Sequence, residues 1–120
     1  MRLAPALILG FVAGAAAGQP ASPHDGLYRP AGAAPDAWDC TRIGEEGGAL
    51  AVRDGRLFGI GYTCHLSLPV EVRGMTATLY DAICATESAA YEERIMLLST
   101  EDGLVVVRPD GAETYARCPG

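Results

Sequence analysis

From residue 49 onward, apolar and polar positions alternate in short runs, and each run stops at a turn signal. Ala49-Leu50-Ala51-Val52-Arg53 and Arg56-Leu57-Phe58-Gly59-Ile60-Gly61-Tyr62 flank Asp54-Gly55. Asp-Gly between alternating runs predicts a two-residue hairpin, because both central residues of a type I′ turn need positive φ. Met75 to Ile83 alternates cleanly, with Met75, Ala77, Leu79 and Ile83 on one face and Thr76, Thr78, Tyr80 and Ala82 on the other. Only Asp81 interrupts the more apolar face, which predicts a buried ion pair with Arg94 or Arg73, the alternative being that Asp81 marks where the strand leaves the core. Leu104-Val105-Val106-Val107-Arg108 reads as a strand between the turns Glu101-Asp102-Gly103 and Pro109-Asp110-Gly111. Thr114-Tyr115-Ala116-Arg117-Cys118 follows as the last strand.

One segment carries two patterns. Thr86 to Leu98 has good helix formers, with Thr86 placed as an N-cap and Tyr91, Ile95 and Leu98 at helical spacing. Its end runs through a turn straight into the valine strand, as one arm of a hairpin would. The reading adopted is a strand from 93 to 100, preceded by a short helical turn or a loop near 86–92. The sum is an all-β chain, an antiparallel meander of about seven or eight short strands forming a flattened barrel or sandwich.

The start of the chain follows different rules. Arg2 precedes the apolar run Leu3–Val12, and the small-residue tract Ala13–Gly18 offers an Ala-x-Ala cleavage site. This is the layout of a secretory signal over residues 1–18. Residues 19–35, rich in Pro, Gly, Ala and Ser, read as a flexible mature N-terminus in which Gly26–Pro30 forms a short strand or an apolar clamp. The single domain is expected to span 36–120. The leading apolar run is too short and too rich in Ala and Gly for a membrane span, and no later run is longer.

Export changes how the cysteines read. Cys40, Cys64, Cys84 and Cys118 form an even set, which in an oxidising compartment predicts two disulfides. Each would contribute about 3–4 kcal/mol in the chain-entropy model. That is a large share of a stability of roughly 5–15 kcal/mol. The shortest loops come from Cys40–Cys64 with Cys84–Cys118; Cys64–Cys118 with Cys40–Cys84 would suit a meander whose last strand closes on an earlier one. Zinc is disfavoured because no Cys-x-x-Cys pair occurs.

The formal charge is −6, with nine basic residues, all arginine, and neither lysine nor asparagine. An acidic surface repels phosphate backbones, so nucleic acid is not an expected partner. The missing lysine and asparagine suit a gene of high G+C content, hence a bacterial periplasmic or secreted protein, expected to be monomeric.

Candidate catalytic groups do not converge in the sequence. His65 and Ser67 share a strand face, but neighbours on one strand seldom reach hydrogen-bond geometry, and no nucleophile elbow is present. His24-Asp25 with His65 is a remote metal set. Glu45-Glu46 and Glu92-Glu93 read as solvated charge rather than a paired-carboxylate site. No catalytic, cofactor or metal residues are assigned. Trp38 reads as a core anchor beside Cys40. Tyr62, Tyr80, Tyr91 and Tyr115 with Arg94 and Arg117 form the candidate interaction surface, because Tyr and Arg dominate protein–protein hot spots.

In general layout the chain resembles small periplasmic lysozyme inhibitors, through its signal and small disulfide-stapled β domain. The Ser-Gly-x-x-Tyr loop and downstream lysine of those proteins are missing, so none of their inhibitory residues has a counterpart here. Gly26-x-Tyr28 resembles the Gly-x-Trp start of lipocalin-like barrels, yet so short a chain would fill its barrel with side chains. The functional expectation is an exported, non-catalytic binding protein acting on a protein, an envelope component or a small ligand. A small secreted enzyme and a structural or stress-related envelope protein are the alternatives.

Overall fold

Each alternating run becomes a strand in the computed structural model, which describes residues 22–119. The strands are β1 (Gly26–Pro30), β2 (Leu50–Arg53), β3 (Arg56–Gly59), β4 (Tyr62–Glu71), β5 (Ala77–Ala85), β6 (Ala90–Ser99), β7 (Gly103–Arg108) and β8 (Gly111–Arg117). They pair antiparallel in chain order, and β8 closes on β1 to complete a barrel. The alternative of a sandwich is thereby resolved. Asp54 and Gly55 take φ of 54° and 73° and join β2 to β3 in the predicted hairpin.

The barrel begins ten residues before the expected boundary at 36. Gly26–Pro30 is the closing strand, with Tyr28 opposite Leu50 on one side and Arg117 on the other. Its physical reason is Tyr28, a fully buried ring that fills the interior. The Arg56–Tyr62 run is split by Gly61, whose φ of 81° turns the chain between β3 and β4. Residues 86–89 form a turn in which Thr86 N–H donates to the Ala89 carbonyl at 2.8 Å, and no helix forms there. Residues 90–99 instead pair along the whole of β5. Among the described residues the one short helical element is a 3-10 turn at Pro35–Ala37.

Register decides which faces point inward, since side chains alternate across a strand. The interior holds Tyr28, Val52, Leu57, Cys64, Leu66, Tyr80, Ala82, Cys84, Ile95, Leu97, Leu104, Val106 and Tyr115, all buried. On β5 this reverses the hydrophobicity pattern: Thr78, Tyr80, Ala82 and Cys84 face in, whereas Ile83 is 54% exposed. A narrow barrel takes the tyrosine ring and the small residues, leaving the Leu79 and Ile83 face outside. Asp81 accordingly lies outside. It pairs with Arg94, its register partner, at 3.2 Å, and the pair is solvated rather than buried.

The disulfides are Cys64–Cys84 and Cys40–Cys118, which corrects the pairing favoured by loop length. Cys64 and Cys84 are register partners on β4 and β5 with Cα atoms 3.9 Å apart, so the meander itself brings them together. Both are fully buried inside the barrel. Cys40 belongs to the long β1–β2 connection, and Cys118 follows β8, its N–H donating to Leu27 at 2.8 Å. This second bridge therefore ties the connection 31–49 to the barrel wall.

The two ends of the barrel are closed differently. At the end bearing the β2–β3, β4–β5 and β6–β7 turns, the Ser22–Asp25 turn acts as a plug. His24 is fully buried, its Nδ1 is 2.7 Å from Ser99 Oγ and its Nε2 3.0 Å from Thr78 Oγ1. Tyr28 donates its hydroxyl to the His24 carbonyl at 2.6 Å. At the opposite end the connection 31–49 passes over the mouth, and Trp38 and Ile60 pack with Tyr62 against the core.

Candidate binding cleft at the barrel mouth

The mouth beneath the 31–49 connection is built on one arginine. Arg108 ends β7 with its side chain turned inward, beside the inward residues of β6 and β8. It donates to the Glu93 carboxylate and to the Tyr62 hydroxyl, and its guanidinium stands 4.7 Å from the Tyr62 ring centroid. Only 16% of the Arg108 side chain and 18% of Glu93 remain exposed. Burial works against the Arg108 charge, but Tyr62 and Glu93 outweigh it and hold its pKa above the ordinary value. The Tyr62 ring lies across Gly59, its register partner, where a Cβ would come 2.0 Å from the ring. Only glycine fits that position.

Next to this cluster, Tyr115 donates to Glu113 at 2.9 Å. Burial and then the Glu113 hydrogen bond push the Tyr115 phenol up, and burial also raises that of Tyr62. Above them lies a cleft of about 490 Å³. Trp38, Leu50, Ile60, Tyr62 and Tyr115 supply its apolar and aromatic lining, and Glu46 and Glu113 its carboxylates. The loop carrying Trp38 and Glu46 is shaped by Asp39, which accepts from Thr41 and Arg42 backbone N–H groups at 2.8 and 3.1 Å and from Arg42 Nε at 2.6 Å. Arg42 beside it, with those N–H groups, holds the Asp39 carboxyl far below the usual carboxylate range.

The sequence-predicted surface is not one face. Tyr80 and Tyr115 point into the barrel and are buried, because both lie on the inward register of their strands. Tyr62 is half-buried on Gly59 under Arg108. Tyr91 is exposed near the mouth, Arg94 is on the outer face with Asp81, and Arg117 stands 5.2 Å from the Tyr28 ring at the other end. Of the six, Tyr62 and Tyr115 line the cleft. Trp38, Glu46, Glu113 and Arg108 were not assigned to any site. Trp38 and Glu46 come from a connection with no strand pattern, which the Cys40–Cys118 bridge ties to the segment after β8.

The remaining candidates separate. Ser67 donates to the Asp81 carbonyl at 2.8 Å rather than to His65, which is exposed. His24 serves the plug, with its ring nitrogens on Ser99 and Thr78. Glu93 is an interior ion-pair partner, not solvated charge. All four cysteines are bridged, so none ligates zinc. Among the described residues, no group of three His, Cys, Asp or Glu side chains has metal-ligand geometry, and no helix is long and apolar enough to cross a membrane. Other hollows occur as well. One of about 270 Å³ lies beside the plug against Leu66, Thr78 and Tyr80, and one of about 520 Å³ lies on the outer wall around Leu68, Ile83 and Arg94. No family model, curated protein or solved structure matches the chain.

Proposed function

We propose that the chain is an exported, non-catalytic binding protein that engages its partner through the cleft under the 31–49 connection. The observation that carries this reading is the division of labour in the fold. The interior is filled by side chains, so recognition belongs on the surface. There, Trp38, Tyr62 and Tyr115 gather beside Glu46 and Glu113 in one concave site. Aromatic rings with a few placed polar groups are the usual make-up of a recognition site. The reading places the protein in a bacterial periplasm or outside the cell, supported by the signal-like residues 1–18 and by two disulfides, which persist in oxidising compartments.

Two photo-crosslinking positions test it, Thr114 at the cleft rim and His65 on the outer wall. Saturable capture of a host envelope component from Thr114 but not from His65 is expected. Capture from His65 alone would move the site to the outer wall. Turnover of a periplasmic substrate would favour the enzyme reading.

A further inference from the structure

We infer that the cleft takes a cationic group on a short apolar stem, an alkylguanidinium or alkylammonium of the kind that ends an arginine or lysine side chain. The inference rests on the cleft being the binding site. The balance of charge at the mouth carries it. Glu46 and Glu113 line the cleft, and among the described residues no basic side chain does. Two nearby arginines are committed, Arg108 to Glu93 and Tyr62 and Arg42 to Asp39 and Glu45; Arg29, beside Pro30, forms no ion pair among the described residues but does not line the cleft. Glu113 accepts one hydrogen bond from Tyr115 through Oε1, and among the described residues Glu46 accepts none from a side chain. An occupant that covers these carboxylates must replace the water it displaces. A neutral or anionic group leaves them desolvated and unpaired, which is costly; a cation pairs with them.

The walls select the rest of the ligand. Trp38 offers an aromatic face, which attracts a guanidinium or ammonium. The second aromatic, Tyr62, is less available, because Arg108 already stands over its ring at 4.7 Å. Pro30, Leu50 and Ile60 supply apolar wall for an alkyl stem. The chain's charge of −6 adds long-range attraction for such a group.

Trp38 is the only tryptophan and therefore reports directly from the cleft. The oxidised mature protein is titrated with n-butylguanidinium and with n-butylurea, its neutral near-isostere, while Trp38 emission is followed. A saturable change with the cation is expected, at least about tenfold weaker with the urea, which is roughly 1.4 kcal/mol. Glu46→Gln and Glu113→Gln each weaken cation binding by about fivefold, the scale of an exposed charge contact. Equal response to the urea, no response to the cation, or indifference to both glutamine variants overturns the inference. Capture from Thr114 separates the two levels: if it persists while the cation fails, the ligand class falls and the cleft reading stands. Displacement of a Thr114-captured protein by butylguanidinium identifies the source as a side chain of that protein. Saturation by butylguanidinium with no captured protein to displace identifies a free small cation.

Discussion

Cys64 and Cys84 face each other across β4 and β5 inside the barrel, whereas Cys40 and Cys118 join a surface connection to the chain end. The two bridges therefore differ in access and in what they secure. Cys64 and Cys84 are fully buried, and Cys40 and Cys118 are partly exposed. Under mild reductant, Cys40–Cys118 is expected to open first, which differential alkylation and peptide mass mapping will show. Loss of Cys64–Cys84 before Cys40–Cys118 would contradict the placement. Cys40→Ala/Cys118→Ala removes a bridge of sequence separation 78 and should cost about 4 kcal/mol by chain entropy.

The plug residue His24 sets a pH dependence. Burial lowers its pKa from the ordinary 6.5, only partly opposed by Asp25. The folded state thus prefers the neutral ring, and the unfolded chain takes up protons first as pH falls. Stability is fully present above 6.5 and declines as pH drops below it toward the folded value. Thermal melts between pH 8 and pH 5 should show this decline, and His24→Gln should flatten it over that range. An unchanged slope in the variant would remove His24 as the cause.

At the other end, Arg108 and Glu93 form a pair that is mostly shielded from water. Arg108→Met leaves the Glu93 carboxylate without its cation and should destabilise by about 3 kcal/mol. Adding Glu93→Gln should recover a large part of that loss, because the uncompensated charge is then gone. Denaturant unfolding of the two single variants and the double variant measures the coupling.

Gly59 supports the same cluster sterically. In Gly59→Ala the new methyl would meet the Tyr62 ring at 2.0 Å, so the ring must leave and its contact with Arg108 is lost. A destabilisation of about 1–3 kcal/mol is expected, as for other overpacked sites. Tyr62→Ala/Gly59→Ala should show much less of it, since the clash has no partner.

Strand spacing and turns were legible because they depend on near neighbours. Asp54-Gly55 needs only its own φ values, and Leu104–Arg108 only its β-branched side chains. Properties set by register were not legible. The Cys64–Cys84 bridge follows from residues placed opposite across a hairpin whose turn and bulge no local rule specifies; Leu68, at φ 52°, and Pro69 occupy that bulge. The β5 face is inverted because Tyr80 and the Cys84 bridge fill the interior better than Leu79 and Ile83 would. Gly26–Pro30 was legible as a short strand or clamp but not as the strand that closes the barrel, because one of its two partners, β8, lies at the far end of the sequence. The cleft was hidden for the same reason: Trp38 and Glu46 meet Glu113 and Tyr115 only after the barrel closes.

The most direct test of the cleft as the working surface is capture from Thr114 in the unchanged protein and in Trp38→Ala, both oxidised and both shown to be folded by circular dichroism. Trp38 packs on the core from outside, so its removal should leave the barrel closed while emptying one wall of the site. Saturable capture is expected to fall at least about tenfold, the loss of an interface hot spot. Undiminished capture in Trp38→Ala would contradict the cleft as the working surface.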